Sequence, residues 1–339
     1  MAGSSDSLER RRRVYETASA QLAGLTDEAL AALVATAASP RRGVGGDSGV
    51  VDLDGRQVFV KRINLTDLEA ASGNIGSTAN LFELPLFYQY GVGSAGFGAW
   101  RELAAYRRAS DWVLAGDCPS FPMLYHWRVL PRAAPPPPTE DQQARLQRAV
   151  AYWEDSTAIR ARLEAIRDAP QSVVLFLEYV PQTAAAWLDA RLAAGGEEAA
   201  AALMLFHDRL TEVAAFINAR GMLHFDLHRL NVLTDGDRLY AGDFGLSLCS
   251  DFDLSPAERA FYEVHADYDR GFVALGVVTA AGEQVAPSPS VAATIERCKP
   301  AAEVMRRFFT QLREGGKTTP YPAAELSAAL ARPRGAADL

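Results

Sequence analysis

Three oxygen-bearing side chains lie close together in the stretch HFDLHRLNVLTDGDRLYAGDFG, residues 224–245. Asp226 precedes Asn231 by five positions, and Asn231 precedes Asp243 by twelve. Carboxylate and amide oxygens are the hard ligands that Mg²⁺ prefers, and a carboxylate beside a hydroxyl group can orient it or accept its proton. Side chains of these types could therefore hold a metal ion and orient a hydroxyl group if the fold brings them together.

The two short motifs in this stretch resemble the protein-kinase catalytic loop, H-x-D-L-x-x-x-N, followed by D-F-G. The resemblance implies that Asp226 is the base or orienting group, that Asn231 and Asp243 bind Mg²⁺, and that His224 braces the loop. It also implies that the chain uses ATP together with Mg²⁺. The implied fold is α+β and two-lobed, with a small N-terminal antiparallel β-sheet lobe and a larger helical C-terminal lobe.

A kinase-like chain also needs a strand lysine for the phosphates and a helix glutamate that holds the lysine. The run VFVK ends at Lys61 and resembles the family's V-A-I-K, and AWRELAAY offers Glu102 on a predicted helix. Lys61 and Glu102 are 41 positions apart, which is wider than is usual in the family, so residues 64–97 are predicted to be an insertion. Glu69 and Glu83 are alternative partners for Lys61.

The run LFLEYVP resembles the segment that joins the two lobes of a kinase. In that family, main-chain groups at the positions that match Glu178 and Val180 bind adenine. The alternative for the Glu178 side chain is an acid exposed at the edge of a strand.

Two glycine-rich runs compete as the loop that covers the phosphates. GVGSAGFG, residues 91–98, fits G-x-G-x-x-G, but it follows Lys61, whereas a kinase places its glycine loop before the strand lysine. Gly45, Gly46 and Gly49 precede Lys61 and are the predicted phosphate-binding glycines. We expect 91–98 to be a flexible entry to the Glu102 helix, with an anion site at the helix N terminus as the alternative. A Rossmann fold is disfavoured because no clear strand precedes Gly91.

The coarse organisation follows from hydrophobic periodicity and turn signals. Residues 1–40 form a predicted helical extension, 41–180 an N-terminal lobe with insertions at about 64–97 and 131–171, and 181–339 a helical lobe that carries the catalytic loop. Asp54-Gly55 predicts a β-hairpin turn. Packing against the rest of the chain is the predicted role of the extension and of the second insertion.

Bulk composition excludes several classes of partner. The formal net charge of −8 argues against broad binding to nucleic acid or to an anionic membrane. The three cysteines are isolated, so neither a disulfide framework nor a zinc site is predicted. No secretory signal or membrane span is evident in the sequence, which predicts a cytoplasmic protein.

The acceptor is the open question. Phe225 stands where many regulated kinases carry arginine, and no clean A-P-E follows. His228 makes the loop similar to that of aminoglycoside and choline phosphotransferases, whereas the intact D-F-G favours protein kinases. We expect phosphorylation of Ser or Thr in a protein or peptide. A small-molecule kinase is the first alternative, and a pseudokinase scaffold, which the complete set of motif residues disfavours, is the second.

Overall fold

A computed structural model of the chain describes residues 2–42, 46–282 and 289–331. It is an α+β structure with 55% helix, a small antiparallel sheet and a larger helical portion, which confirms the fold prediction at this coarse level. The chain forms two compact units. Unit 1 comprises Met1–Val180, Phe244–Leu246 and Phe252–Ser255, and unit 2 comprises Pro181–Asp243, Ser247–Asp251 and Pro256–Leu339.

Unit 1 contains a five-stranded antiparallel sheet with the strand order β1-β2-β3-β5-β4. The predicted hairpin at Asp54-Gly55 joins β2 to β3, and both residues have positive φ angles (50° and 82°), which this tight turn requires. The strands are β1 (Ala38–Arg42), β2 (Gly46–Leu53), β3 (Arg56–Leu65), β4 (Leu124–Pro131) and β5 (Gln171–Glu178).

The described residues of unit 1 also form the α-helices α1 (Ala2–Ala23), α2 (Asp27–Ala35), α3 (Asp67–Ala70), α4 (Ala99–Ala115), α5 (Glu140–Tyr152) and α6 (Thr157–Asp168). Thr26 caps α2 by accepting a hydrogen bond from the Ala29 amide. Both N-terminal helices pack on β4, and Arg128 of β4 forms an ion pair with Asp27 at 2.7 Å. The helical extension therefore packs on the sheet.

The two insertions share one hydrophobic core within unit 1. The Tyr88 and Trp153 rings meet edge to face, with centroids 4.7 Å apart. The buried members of this cluster come from both insertions and are Leu84, Tyr88, Phe97, Trp153 and Ile159. The second insertion thus packs against the first.

Unit 2 is mainly helical, and α10 and α11 pack against α8. Its helices are α7 (Ala184–Ala194), α8 (Gly196–Ala219), α9 (Pro256–Val264), α10 (Tyr268–Ala281), α11 (Pro289–Glu314) and α12 (Ala323–Leu330). Its short strands are β6 (Gln182–Thr183), β7 (Met222–Leu223), β8 (Val232–Thr234), β9 (Leu239–Ala241) and β10 (Leu248–Cys249). The predicted catalytic loop connects β7 to β8.

Neither a disulfide nor a membrane-spanning helix is found in the part of the chain that the structure describes. Cys118, Cys249 and Cys298 are free and buried. Within the same residues, each helix is too short or too polar to cross a lipid bilayer.

Candidate functional site

Lys61 and Glu102 form an ion pair in unit 1, with 2.6 Å between Lys61 Nζ and Glu102 Oε1. Lys61 lies on β3 between its register partners Ser48 and Leu175, in the middle of the sheet. Glu102 lies in the first turn of α4, and its side chain is 7% exposed. Burial strengthens the attraction between the two charges, since water screens them less. The structure therefore brings these two residues together across 41 positions of sequence.

Glu69, the first alternative partner, is held elsewhere by a dense set of donors. Its Oε2 accepts hydrogen bonds from the Thr66 amide, the Thr66 hydroxyl and Arg162 Nη1, and its Oε1 accepts one from the Ala99 amide. Glu69 is therefore an internal anchor that bridges α3, α4 and α6. Glu83, the other alternative, lies in a turn with φ 52°.

The same hydrogen bonds bear on the alternative that the N terminus of α4 binds an external anion. Gly98, at the N-cap, has no side chain to cap the helix. The Glu69 carboxylate instead accepts a hydrogen bond from the Ala99 amide at 2.7 Å. A carboxylate is the charge that a helix N terminus favours. The chain thus supplies its own anion here, which disfavours a phosphate at this end of α4.

The glycine run 91–98 leads into α4, but it is packed within unit 1 rather than loose. Phe97 is buried, and the Ala95 amide donates a hydrogen bond to the Tyr88 hydroxyl at 3.0 Å. Gly96 has φ 71°, and a Cβ placed on it would overlap the carbonyl oxygen of Gly245. Its glycine character is explained by this close approach.

Two of the predicted phosphate-binding glycines, Gly46 and Gly49, lie on β2. A Cβ on Gly46 would overlap the Arg62 carbonyl oxygen, and a Cβ on Gly49 would lie 2.9 Å from the Ala37 Cβ. Close packing is therefore sufficient to explain both glycines, and their contact with phosphate remains a prediction. Gly45 lies outside the described residues.

Glu178 ends β5, and its side chain is bound rather than exposed. Arg11 of α1 donates to both carboxylate oxygens (2.8 and 2.7 Å) and to the carbonyl oxygens of Pro119 and Phe121. The edge-acid alternative is therefore wrong for the Glu178 side chain. Arg11 was not singled out in the sequence, where it lies in a run of four arginines.

The predicted adenine-binding main chain begins where the sheet ends. The Glu178 amide donates to the Met123 carbonyl oxygen at 2.8 Å. The pairing of β3 with β5 stops at Val58 and Glu178, so Val180 continues the chain beyond the ladder. A role for Glu178 and Val180 in binding adenine stays a prediction.

Phe244, the residue after Asp243, packs on the helix that carries Glu102. Its ring meets Tyr106 edge to face at 4.8 Å, one turn beyond Glu102, and the Phe121 ring is 6.1 Å away. The Gln89 side chain donates to the Leu246 carbonyl oxygen. The first insertion and α4 thus hold residues 244–246 within unit 1.

Asp226 and Asn231 are in direct contact in unit 2. Asn231 Nδ2 donates to Asp226 Oδ2 at 2.8 Å and to the Asp226 carbonyl oxygen at 3.1 Å. The side-chain nitrogen of Asn231 therefore holds the Asp226 carboxylate in place. The side-chain oxygen of Asn231 is the type of atom that Mg²⁺ prefers. The Asp226 side chain is 20% exposed and thus accessible to a substrate.

The pairing of β8 with β9 extends to the residue before Asp243. The Gly242 amide donates to the Asn231 carbonyl oxygen at 3.0 Å, so the backbone just before Asp243 is paired with the backbone of Asn231. Asp243 is exposed and has φ 58°. Left-handed backbone at a residue other than glycine is strained and is enriched at functional sites.

His224 is buried and braces the loop on both sides. Burial lowers its pKa to about 4, so the ring is neutral near pH 7. Its Nδ1 accepts from the Asp226 amide (3.3 Å), which leaves the proton on Nε2, and Nε2 donates to the Gly242 carbonyl oxygen at 3.0 Å. The bracing role that the resemblance implies for His224 agrees with these contacts.

Asp269 is a further residue of this region that the sequence reasoning missed. It lies on α10, is fully buried, and accepts hydrogen bonds from the amides of His224 (2.8 Å) and Phe225 (3.0 Å). Burial raises its pKa to about 6. Phe225 has φ 63°, so Asp269 stabilises a strained point of the loop. An acid near the start of an otherwise apolar helix was the available signal.

The donor set fits Mg²⁺ bound together with phosphates, but it does not form a cage. No cluster of three or more His, Cys, Asp or Glu side chains suited to a metal occurs among residues 2–42, 46–282 and 289–331. Mg²⁺ typically takes one or two carboxylates and completes its shell with water and substrate phosphates. Asn231 and Asp243 are compatible with that mode.

Compared with models of known protein families and with curated proteins, the sequence matches none of them. A functional assignment therefore rests on the geometry of the residues themselves.

Proposed function

We propose that the chain is a Mg²⁺- and ATP-dependent phosphotransferase with a two-lobed, protein-kinase-like fold, and that it transfers the γ-phosphate to a serine or threonine hydroxyl of a protein or peptide. The observation that carries the proposal is the Lys61–Glu102 ion pair. If the motif at 224–245 acts as in a kinase, the chain also needs a lysine–glutamate pair elsewhere. The residues of the motif do not themselves cause such a pair to form. A partly buried lysine–glutamate pair that meets this requirement supports the whole set of residues.

Each residue has one role in the proposed reaction. Lys61, held by Glu102, binds the phosphates of ATP. Asp226 orients the acceptor hydroxyl and accepts its proton as the hydroxyl oxygen bonds to the γ-phosphorus, while the bond between the γ-phosphorus and the bridging oxygen of ADP breaks and ADP leaves. Asn231 and Asp243 hold Mg²⁺, which when bound neutralises charge on the phosphates. His224, neutral and fixed in one tautomer, keeps Asp226 and the chain before Asp243 in register.

A small-molecule acceptor is the second candidate, and His228 favours it. His228 Nδ1 accepts from the Leu230 amide (3.2 Å), so its Nε2 carries the proton and lies 3.5 Å from Asp226 Oδ1. This histidine is the feature that resembles aminoglycoside and choline phosphotransferases. The intact D-F-G, with Phe244 packed on α4, favours the protein or peptide acceptor.

A screen for phosphorylated products separates the two acceptors. The chain is incubated with Mg²⁺–ATP and either a Ser/Thr peptide library or a panel of aminoglycosides and amino alcohols, and products are detected by mass spectrometry. The proposal expects phosphopeptides, and products from the second panel alone would favour the small-molecule kinase. If ATP turnover that depends on Mg²⁺ is seen with none of the acceptors, the enzyme proposal is wrong and the pseudokinase scaffold is favoured.

A pair of aspartate variants tests whether the turnover belongs to this site. Asp243→Ala is expected to abolish turnover and to remove the Mg²⁺ dependence of ATP affinity. Asp237→Ala, which removes an exposed carboxylate on the loop between β8 and β9, is the matched control and should resemble the unaltered chain. Equal turnover by both variants would exclude Asp243 as a metal ligand.

A further inference from the structure

A buried ion pair joins the two insertions at the N terminus of α4. Arg162 Nη1 of α6 lies 2.7 Å from Glu69 Oε2, and each side chain is 2% exposed. The Arg162 guanidinium also lies over the Phe82 ring, 5.0 Å from its centroid. The pair is thus sealed between the segments that follow β3 and precede β5.

Glu69 connects this pair directly to α4. Its Oε1 accepts from the Ala99 amide, and its carbonyl oxygen accepts from Trp100 Nε1 at 2.9 Å. Ala99 is the first residue of α4, and Glu102 lies one turn further. A carboxylate at this position stabilises the start of the helix, because it accepts from the Ala99 amide, one of the first-turn amides without a partner inside the helix.

The burial of the pair indicates a positional role. A buried ion pair is weak support for stability, since removing two charges from water offsets much of their attraction. What it supplies is direction, because the planar guanidinium of Arg162 donates to Glu69 along a fixed line. Glu69 Oε2 accepts from Arg162 and Thr66, and its Oε1 accepts from Ala99, so Glu69 links α6 to the first turn of α4.

We propose that Glu69 and Arg162 are positioning residues that place Glu102 against Lys61, so that the two insertions assemble the phosphate-binding pair of unit 1. The proposal rests on the proposed function, in which Lys61 binds ATP. Neither residue touches ATP or the acceptor; both act through α4.

Titration of the full chain with Mg²⁺–ATP by calorimetry tests the proposal. Glu69→Gln and Arg162→Met should each weaken ATP binding on the order of tenfold. Arg162→Lys should weaken ATP binding less than Arg162→Met does, because lysine keeps a positive charge that can reach Glu69. Arg160→Gln is the matched control, because Arg160 is 41% exposed on the same helix and lies 3.9 Å from Glu164. Binding as tight as that of the control in both Glu69→Gln and Arg162→Met would overturn the proposal.

A double-mutant cycle separates positioning from a general loss of structure. If Glu69 acts through Glu102, adding Glu69→Gln to Glu102→Gln should change ATP affinity less than about twofold, because the target of the positioning is already lost. A further tenfold loss in the double variant would show an independent structural effect and contradict the proposal.

Hydrogen exchange measured without nucleotide keeps the test independent of the proposed function. Glu69→Gln should speed exchange of the amides at 99–103 while leaving those of α1 unchanged. Exchange at the unaltered rate in 99–103 overturns the positioning role whether or not the chain binds ATP. If the unaltered chain fails to bind Mg²⁺–ATP but exchange in 99–103 is accelerated, the proposed function fails and the anchor at α4 stands.

Discussion

The Lys61 region of unit 1 and the Asp226 region of unit 2 are built in opposite ways. Lys61 and Glu102 are far apart in sequence, and Glu102 is oriented through Glu69 and Arg162, which belong to two insertions. In the Asp226 region the contacts join near neighbours: Asn231 binds Asp226 five positions away.

The difference shows which of the two groups of candidate residues depends on the rest of its unit. Within the predicted catalytic loop, a short connection fixes which groups can meet, and Asp269 of α10 gives long-range support. In unit 1, Lys61 lies in the middle of the sheet, but which acidic residue pairs with it depends on how residues 65–171 fold. Variants in the two regions should therefore fail in different ways.

The largest expected effect is on turnover, from Asp226→Asn. The asparagine keeps an oxygen for Asn231 but cannot accept the acceptor proton, so kcat should fall by about 10³-fold. ATP affinity should remain within about twofold, because the nucleotide is bound by other groups. Turnover measured beside nucleotide titration checks both, and a kcat above a tenth of the original value would remove Asp226 from the mechanism.

Glu102→Gln should break the unit 1 region without affecting the Asp226 loop. Lys61 keeps its charge but loses its ionic partner, and we expect the KM for ATP to rise on the order of tenfold, since solvent screening of the 20%-exposed Lys61 side chain limits the effect. Glu164→Gln on α6 is the control, because Glu164 pairs weakly with Arg160 at 3.9 Å. A rise in KM shared by the control would indicate a nonspecific loss of charge.

Gly96→Ala compared with Gly93→Ala sharpens the role of the first insertion. Both glycines have positive φ (71° and 101°), so alanine would be strained at either position. Only at Gly96 would the new Cβ overlap the Gly245 carbonyl oxygen, whereas nothing lies within 4 Å at Gly93. Gly96→Ala should therefore lower the thermal midpoint further. Equal midpoints would mean that the close approach to Gly245 adds no constraint.

The last prediction concerns pH, and it belongs to unit 2. Burial lowers the pKa of His265 to about 4, so the folded state resists protonation and loses stability as pH falls from 6.5 towards 4. His224 has the same sign. Asp269, with a pKa raised to about 6, has the opposite sign: its contribution grows as pH falls from 6 towards 3.8.

In the His265→Phe variant, the contributions of His224 and Asp269 to the pH dependence of the unfolding free energy have opposite signs and nearly cancel. Between pH 7 and pH 5 the variant should lose about 2 kcal/mol less unfolding free energy than the unaltered chain. Urea unfolding at the two pH values measures the difference. The same pH dependence in both proteins would show that His265 is not a source of acid sensitivity.

Local patterns were sufficient for much of the fold. The hairpin at Asp54-Gly55, the capped start of α2 and the helix that became Ala99–Ala115 follow from turn chemistry and periodicity. The glycine run 91–98 could not be interpreted in the same way. Its letters fit a phosphate loop, but its packing depends on Tyr88, on Gly245 and on the Glu69 carboxylate that caps the helix behind it.

The sequence by itself predicted residues 224–245 as a candidate catalytic loop, because Asp226, Asn231 and Asp243 lie close together in the chain and a short loop with two strands limits how far apart they can lie. Only the tertiary structure decided that Glu102, among three acidic candidates, pairs with Lys61, and that Arg11 and Arg162 bind buried carboxylates. A long-range ion pair is selected by which surfaces the fold buries together, and that selection depends on the packing of every segment between its partners.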